Sequence, residues 1–187
     1  MPRVLVPIAT GFEEIEAVSI IDVLRRAGID VIMGALDETL AVQGAHGITM
    51  LCDGLVGEIG VDEIDMIVLP GGWGATKTLA HDVNVQNLLK AMDNMGKNIG
   101  AICAAPYALE AAGVLKEGYT CYPSIENKIT TGGFRGDENA VVESGNIITS
   151  RGPGSAICFA LTLVKRLTDR ATYEALKTDL LAECCDR

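Results

Sequence analysis

The sequence predicts a single α/β domain over residues 1–187, in which helices cover both faces of a doubly wound, mostly parallel sheet. Short, continuous apolar runs, typical of strands buried on both faces, alternate with segments of helical periodicity. Glycine, at 21 of 187 residues, gathers at the ends of the apolar runs, as tight connections between strands and helices require. Neither an internal repeat nor a low-complexity linker divides the chain.

The first half predicts a βαβ unit. Residues 4–9 form a continuous apolar run, and residues 12–28 follow with helical spacing, glutamates in the first turn and arginines in the last. Apolar residues on more than one side of this helix suggest a second subunit as well as the sheet. The elements predicted next are a parallel strand at 29–35, a hairpin at 40–43 and 48–52, a buried strand at 65–69, a glycine-rich loop at 70–74 and a helix at 83–95.

The second half is less regular after its first strand and helix. Residues 98–102 form an apolar run that reaches Cys103, and a helix begins at Pro106. The remaining predictions are a short strand at 119–123, a hairpin at 140–142 and 146–150, a helix at 151–165 and a last helix at 170–185.

Cys103 therefore lies where a strand turns into a helix. Such a turn lifts the side chain clear of the sheet, as in the nucleophile elbow of hydrolases. The exposed amides and the positive end of the helix would lower the pKa of the thiol and make it reactive. The alternative is a small buried apolar residue, which is the commonest role of a free cysteine.

Composition argues against several classes of protein. A net charge of −10 disfavours binding to nucleic acid or to anionic membranes. The apolar runs are too short to span a bilayer and the N-terminus lacks the pattern of a signal peptide, so we expect a cytoplasmic protein. Six cysteines without a CxxC pair predict free thiols rather than a disulfide framework.

No cofactor is expected. The loop at 70–74 lacks both the GKS/T ending of a phosphate-binding loop and the GxGxxG spacing of a dinucleotide site. With only His46 and His81 available, a zinc site is not expected either.

Four segments in register resemble the DJ/ThiJ/PfpI superfamily, in particular the branch that holds the parkinsonism-associated protein deglycase and YajL. They are residues 11–18, 68–72, 101–106 and 149–154, and the resemblance runs over almost the whole chain. It implies a flavodoxin-like sandwich, a homodimer and a cysteine of low pKa on the elbow.

The resemblance also implies roles for individual residues. It pairs Cys103 with Glu16 on the first helix and assigns an oxyanion pocket to the backbone N–H groups near Gly72 and Ala104. A partly desolvated Glu16 would stay protonated and donate a hydrogen bond to the thiolate. Tyr122 stands where human-type members carry a histidine, and it could donate a hydrogen bond to a substrate oxygen but not act as a base at neutral pH.

Other polar residues and cysteines are given structural interpretations. Glu13 and Glu14 are expected to be solvated, and His46 replaces an arginine of the human-type members. His81 is interpreted as a surface helix residue, Cys52 and Cys158 as core packing, Cys121 as a neighbour of Cys103 without an assigned role, and Cys184 and Cys185 as exposed terminal thiols.

Two function classes stay open. The first is a cofactor-independent glyoxalase or protein deglycase, in which Cys103 attacks methylglyoxal, glyoxal or their early adducts and Glu16 assists proton transfer. The second is an oxidative-stress sensor or redox-regulated chaperone that uses a Cys103 sulfinate. A cysteine peptidase or amidase is a distant third, because Ala104 replaces the histidine that follows the cysteine in peptidase-like members.

Overall fold

Nine strands and six α-helices make up the computed structural model, which describes residues 1–186. In chain order they are β1 (Arg3–Ile8), α1 (Glu14–Arg26), β2 (Asp30–Ala35), β3 (Ala41–Gln43), β4 (Thr49–Leu51), β5 (Gly54–Leu55), β6 (Met66–Leu69), α2 (Trp73–Leu79), α3 (Val83–Asn94), β7 (Asn98–Ile102), α4 (Pro106–Ala112), β8 (Val141–Ser144), β9 (Ile147–Ser150), α5 (Ala156–Leu167) and α6 (Arg170–Asp179).

Seven strands form the central sheet of the described chain, in the order β5-β2-β1-β6-β7-β9-β8. β8 pairs with β9 in antiparallel fashion, whereas the other neighbouring strands of this sheet run parallel. β3 and β4 form a separate antiparallel hairpin. The register places Leu69, the last residue of β6, beside Ala101 of β7, so these two strands end together at one edge of the sheet.

Helices flank this sheet in two groups: α1 packs against α5, and α4 packs against α2 and α3. All four residues of β6 and all four of β9 are buried, because the helices cover both faces of a parallel sheet. The predicted α/β fold with a mostly parallel sheet between helices is therefore confirmed. Within residues 1–186, no helix combines the length and the apolar character needed to cross a bilayer.

Three local predictions were wrong or incomplete. Residues 119–123 do not form a strand, since only Tyr119 makes an isolated bridge, to Phe134. The last helix ends at Asp179 rather than at residue 185, and the chain then makes a turn and a short 3-10 helix. The end of the loop predicted at 70–74 is instead the start of α2, which begins at Trp73.

Candidate active site at the Cys103 elbow

Cys103 occupies the predicted turn between a strand and a helix. It follows the last residue of β7, and its φ of 63° lies in the left-handed region, where a residue other than glycine is strained by roughly 1–3 kcal/mol. Its N–H donates to the Ser150 carbonyl oxygen at 2.9 Å, which fixes the turn to the end of β9. The side chain is mostly buried, with 8% of the residue exposed. The elbow geometry predicted for Cys103 is therefore present.

Two glycines allow the end of β6 to approach this turn. A Cβ on Gly71 would lie 2.6 Å from Cys103 Cβ and 2.6 Å from Glu16 Oε2. Gly72 has a φ of +90°, and a Cβ there would lie 2.3 Å from the Gly11 carbonyl oxygen. Gly71 and Gly72 follow a buried strand, and the sequence already marked this strand end as distinctive, although only Gly72 was assigned to the site.

Glu16 is fully buried on α1 and reaches the same point. The Gly71 N–H donates to its Oε2 at 2.8 Å. Its Oε1 is buried and has no hydrogen-bond partner within residues 1–186. Burial raises the pKa of Glu16 to about 7, although hydrogen bonds from the Gly71 N–H and the Cys103 side chain lower it. The structure thus brings Glu16 and Cys103 together at Gly71, where both lie 2.6 Å from the position that a Cβ would take.

The surroundings of the Cys103 thiol oppose the sequence expectation of a low pKa. Burial raises the pKa of the thiol, and a negative charge on Glu16 raises it further. The backbone N–H groups of Gly72 and Ala104 act in the opposite direction, because they donate hydrogen bonds to the sulfur. Protonation of the Glu16 carboxyl group removes its charge repulsion on the thiolate, whereas the effect of burial remains.

Tyr122 lies beside the elbow but is not buried in it. Its N–H donates to the Cys103 carbonyl oxygen at 2.8 Å, and 48% of the residue is exposed. The side chain lines a cleft of about 480 Å³ together with Arg151 and the turn that leads into α5. A Cβ on Gly152 would lie 3.1 Å from the Tyr122 ring.

The expectation that Glu13 and Glu14 are solvated was wrong for Glu14, and the Glu13 side chain is only 14% exposed. Glu14 is 4% exposed and its carboxylate accepts hydrogen bonds from His46 N at 2.6 Å, His46 Nδ1 at 2.9 Å and Ile48 N at 3.3 Å. Burial raises the pKa of Glu14, but these bonds outweigh it and lower the pKa to about 2. Ligand atoms of Glu13, Glu14 and His46 lie within 4.8 Å of one another, as a metal ion would require.

The cysteines also depart from prediction. Cys158 forms a disulfide bond with Cys185, whereas the sequence predicted free thiols throughout. Cys52 and Cys121 are free and buried, and Cys184 is free and exposed. The sequence separation of 27 residues between the bonded pair gave no signal of their contact. The other histidine, His81, is exposed, as predicted, but it lies in the turn between α2 and α3 rather than in a helix, and its ring bonds to the Lys77 carbonyl oxygen.

Comparison with known proteins gives a consistent result. The sequence pattern of the DJ-1/PfpI family matches residues 2–166. The chain is 41% identical over 171 residues to Arabidopsis thaliana "Protein DJ-1 homolog B". The aligned residues make up 90% of this chain but only 39% of that relative. It therefore spans well under half the length of that relative.

Two other similarities cover most of both chains. Caenorhabditis elegans "Glutathione-independent glyoxalase DJR-1.2" is 39% identical over 155 residues, which are 83% of this chain and 82% of that protein. The crystal structure of Drosophila melanogaster DJ-1beta superimposes with a TM-score of 0.92 at 36% identity, covering 96% of this chain and 97% of that one.

Proposed function

Because the chain belongs to the DJ-1/PfpI family, we propose that it is a cofactor-independent glyoxalase and protein deglycase that acts on methylglyoxal, glyoxal or their early adducts. The observation that carries this proposal is the arrangement around Gly71, where a buried glutamate with a pKa near neutrality meets a cysteine on a strained elbow. A glyoxalase needs both a nucleophile and a group that moves protons at neutral pH, and these two residues supply them.

The proposed reaction begins with attack of the Cys103 thiolate on the aldehyde carbon, which forms a hemithioacetal. Glu16 gives its proton to the developing alkoxide and, as a carboxylate, then removes the proton from the same carbon. Returning this proton to the neighbouring carbon, while the hydroxyl proton of the first carbon moves to the oxygen of the second, gives a lactoyl thioester. Water hydrolyses the thioester, releases lactate and restores the thiol, so the net reaction adds one water to methylglyoxal.

The backbone amides around the sulfur serve the same reaction. The N–H groups of Gly72 and Ala104 already point at Cys103, so they would stabilise negative charge on the sulfur and on an oxygen attached to the adjacent carbon. Tyr122 lines the neighbouring cleft, where its hydroxyl could donate to a second substrate oxygen. No step of this reaction requires a bound cofactor.

The test is lactate formation from methylglyoxal without glutathione. Cys103→Ser should reduce turnover to background, and both Glu16→Gln and Glu16→Leu should lose about 10² to 10⁴ in rate, because neither side chain acts as an acid or base. Cys52→Ser, a buried cysteine outside the site, is the matched control and should keep wild-type turnover. Turnover by Cys103→Ser, or equal turnover by Glu16→Gln and the wild type, would contradict the proposal.

The unpartnered Oε1 of Glu16 supports a second candidate, a redox sensor. If Cys103 is oxidised to a sulfinate, a protonated Glu16 can donate a hydrogen bond to one of its oxygens. Glu16→Gln retains a donor and should keep the sulfinate under peroxide, whereas Glu16→Leu should let it proceed to the sulfonate. Mass spectrometry after peroxide treatment separates these outcomes.

We also propose that the protein acts as a homodimer through α1. Ile15 and Val18 on this helix are 58% and 49% exposed, although neighbouring α1 residues are buried against the rest of the chain. Two exposed branched apolar residues one turn apart on a helix form a surface that a second copy could cover.

A further inference from the structure

A second group of sulfur atoms lies outside the Cys103 site. Cys158 on α5 is bonded to Cys185 in the 3-10 helix at Glu183–Asp186, with 5.1 Å between their Cα atoms. Cys184, the residue before Cys185, is a free and exposed thiol. The sulfur atoms of all three cysteines lie within 4.8 Å of one another. A disulfide therefore has a free thiol at close range.

The disulfide is also accessible from a cleft. Cys158 and Cys185 line a cleft of about 350 Å³ together with Lys165, Tyr173 and Glu143. This volume is within the range that holds small molecules. Lys165 adds a positive charge to the wall of the cleft, and the negative charge of Glu143 on the same wall is paired with Arg166.

We propose that Cys158, Cys184 and Cys185 form a thiol–disulfide exchange centre for low-molecular-weight thiols, which does not use Cys103. Cys184 is the internal thiol of this centre, and the cleft admits the external one. The proposal is independent of the glyoxalase activity, since it involves none of the residues at the elbow.

The internal step is an exchange without net oxidation. The Cys184 thiolate attacks the sulfur of Cys158, the Cys158–Cys184 bond forms, and the Cys158–Cys185 bond breaks. The electron pair leaves on Cys185, which takes up a proton. The two isomers each keep one disulfide and one free thiol.

The external step transfers two electrons from two small thiols to the protein. The first thiolate attacks Cys158, forms a mixed disulfide and releases Cys185. The second attacks the small-molecule sulfur of this mixed disulfide, so a small disulfide leaves and Cys158 becomes a thiol. The same small disulfide drives the reverse reaction.

The experiment maps the free thiol of the folded protein. The oxidised wild type is incubated with free cysteine as the small thiol, quenched with acid and alkylated, and the label is located by fragmentation mass spectrometry. We expect label at both Cys184 and Cys185, since both isomers are present. In Cys185→Ser treated with cystine, two electrons pass to this small disulfide, and a Cys158–Cys184 disulfide should replace the native one. In Cys184→Ser treated in the same way, the Cys158–Cys185 disulfide should be present as a single isomer.

Cys52→Ser is the matched control and should give the wild-type pattern of label. Glyoxalase turnover should be the same in the wild type, Cys184→Ser and Cys185→Ser, which also confirms that the variants are folded. Label at Cys184 alone in the wild type, with two free thiols in Cys185→Ser, would show a fixed structural disulfide and overturn the proposal. Resistance of the native disulfide to excess cysteine until the chain is unfolded would overturn it equally.

Discussion

Replacing Gly71 with alanine tests the arrangement of the elbow more directly than removal of a functional group. The added methyl group would lie 2.6 Å from both Cys103 Cβ and Glu16 Oε2, and 3.0 Å from the Ile102 carbonyl oxygen. Two of these three distances are about 0.8 Å short of the 3.4 Å at which ordinary contacts begin. Glu16 and Cys103 must therefore move apart, although neither residue has been changed.

The size of the effect follows from this displacement. A misplacement of about 1 Å at a reacting centre costs on the order of 10² in rate, so glyoxalase turnover by Gly71→Ala should fall about a hundredfold. The same overlap should lower the free energy of unfolding by about 1–3 kcal/mol, as other overpacked substitutions do. The Gly71 amide donor to Glu16 remains, since alanine keeps its N–H group.

Gly74→Ala is the matched control. It lies three residues further along, inside α2, and an added methyl group would approach its neighbours to no less than 3.8 Å. We expect wild-type turnover and a slight gain in stability, because alanine favours a helix over glycine by about 1 kcal/mol. Lactate formation and urea unfolding measure both effects. Wild-type turnover and stability in Gly71→Ala would refute the close approach of Glu16 and Cys103.

Two further predictions concern pH and assembly. Folding raises the pKa of Glu16 from 4.5 to about 7, so the folded protein binds more protons than the unfolded chain between these values and loses stability as the pH rises through them. Glutamine at position 16 does not titrate, so Glu16→Gln is the reference. The free energy of unfolding of the wild type relative to this variant, measured by urea unfolding, should fall by roughly 3 kcal/mol from pH 4.5 to above pH 7. A constant difference would contradict the raised pKa. Ile15→Asp combined with Val18→Asp should convert a sedimenting dimer to a monomer, because charges would be buried in the proposed interface; a wild type that is monomeric at every concentration would remove the proposed dimer.

Local sequence was sufficient to predict the elbow. An apolar run followed by Pro106 indicates a strand that turns into a helix, and the left-handed φ of Cys103 is the physical result. The partner of Cys103 could not be found in this way. Glu16 accepts a hydrogen bond from the Gly71 N–H, which lies 55 residues later in the chain. The two residues meet only because β1 and β6 are neighbours in the sheet. The pairing of Glu16 with Cys103 came from the family resemblance and not from periodicity.

The errors arose where distant segments decide the environment. Glu14 looked like a solvated residue of a first helical turn, but the hairpin of β3 and β4 covers it and supplies backbone donors at His46 and Ile48. Tyr119 belongs to a segment rich in strand-forming residues, yet it makes only an isolated bridge. Propensity does not specify whether a neighbouring strand is available to pair with.

The distribution of one negative charge between Glu16 and Cys103 connects the geometry of this site to its chemistry. Glu16 and the Cys103 thiol are both acids, both are buried, and charge on either one disfavours charge on the other. The Gly71 amide stabilises charge on the carboxylate, whereas the Gly72 and Ala104 amides stabilise charge on the sulfur. With the proton on Glu16, its negative charge no longer raises the pKa of the thiol, and the two amides at the sulfur offset part of the effect of burial. When the sulfur is protonated, Glu16 is a carboxylate and can act as a base, but the Cys103 thiol beside it is not a nucleophile. A pKa of about 7 for Glu16 places the exchange of this proton near neutral pH. In the proposed reaction, the proton held by Glu16 during attack by the thiolate is then available for the transfer steps that follow.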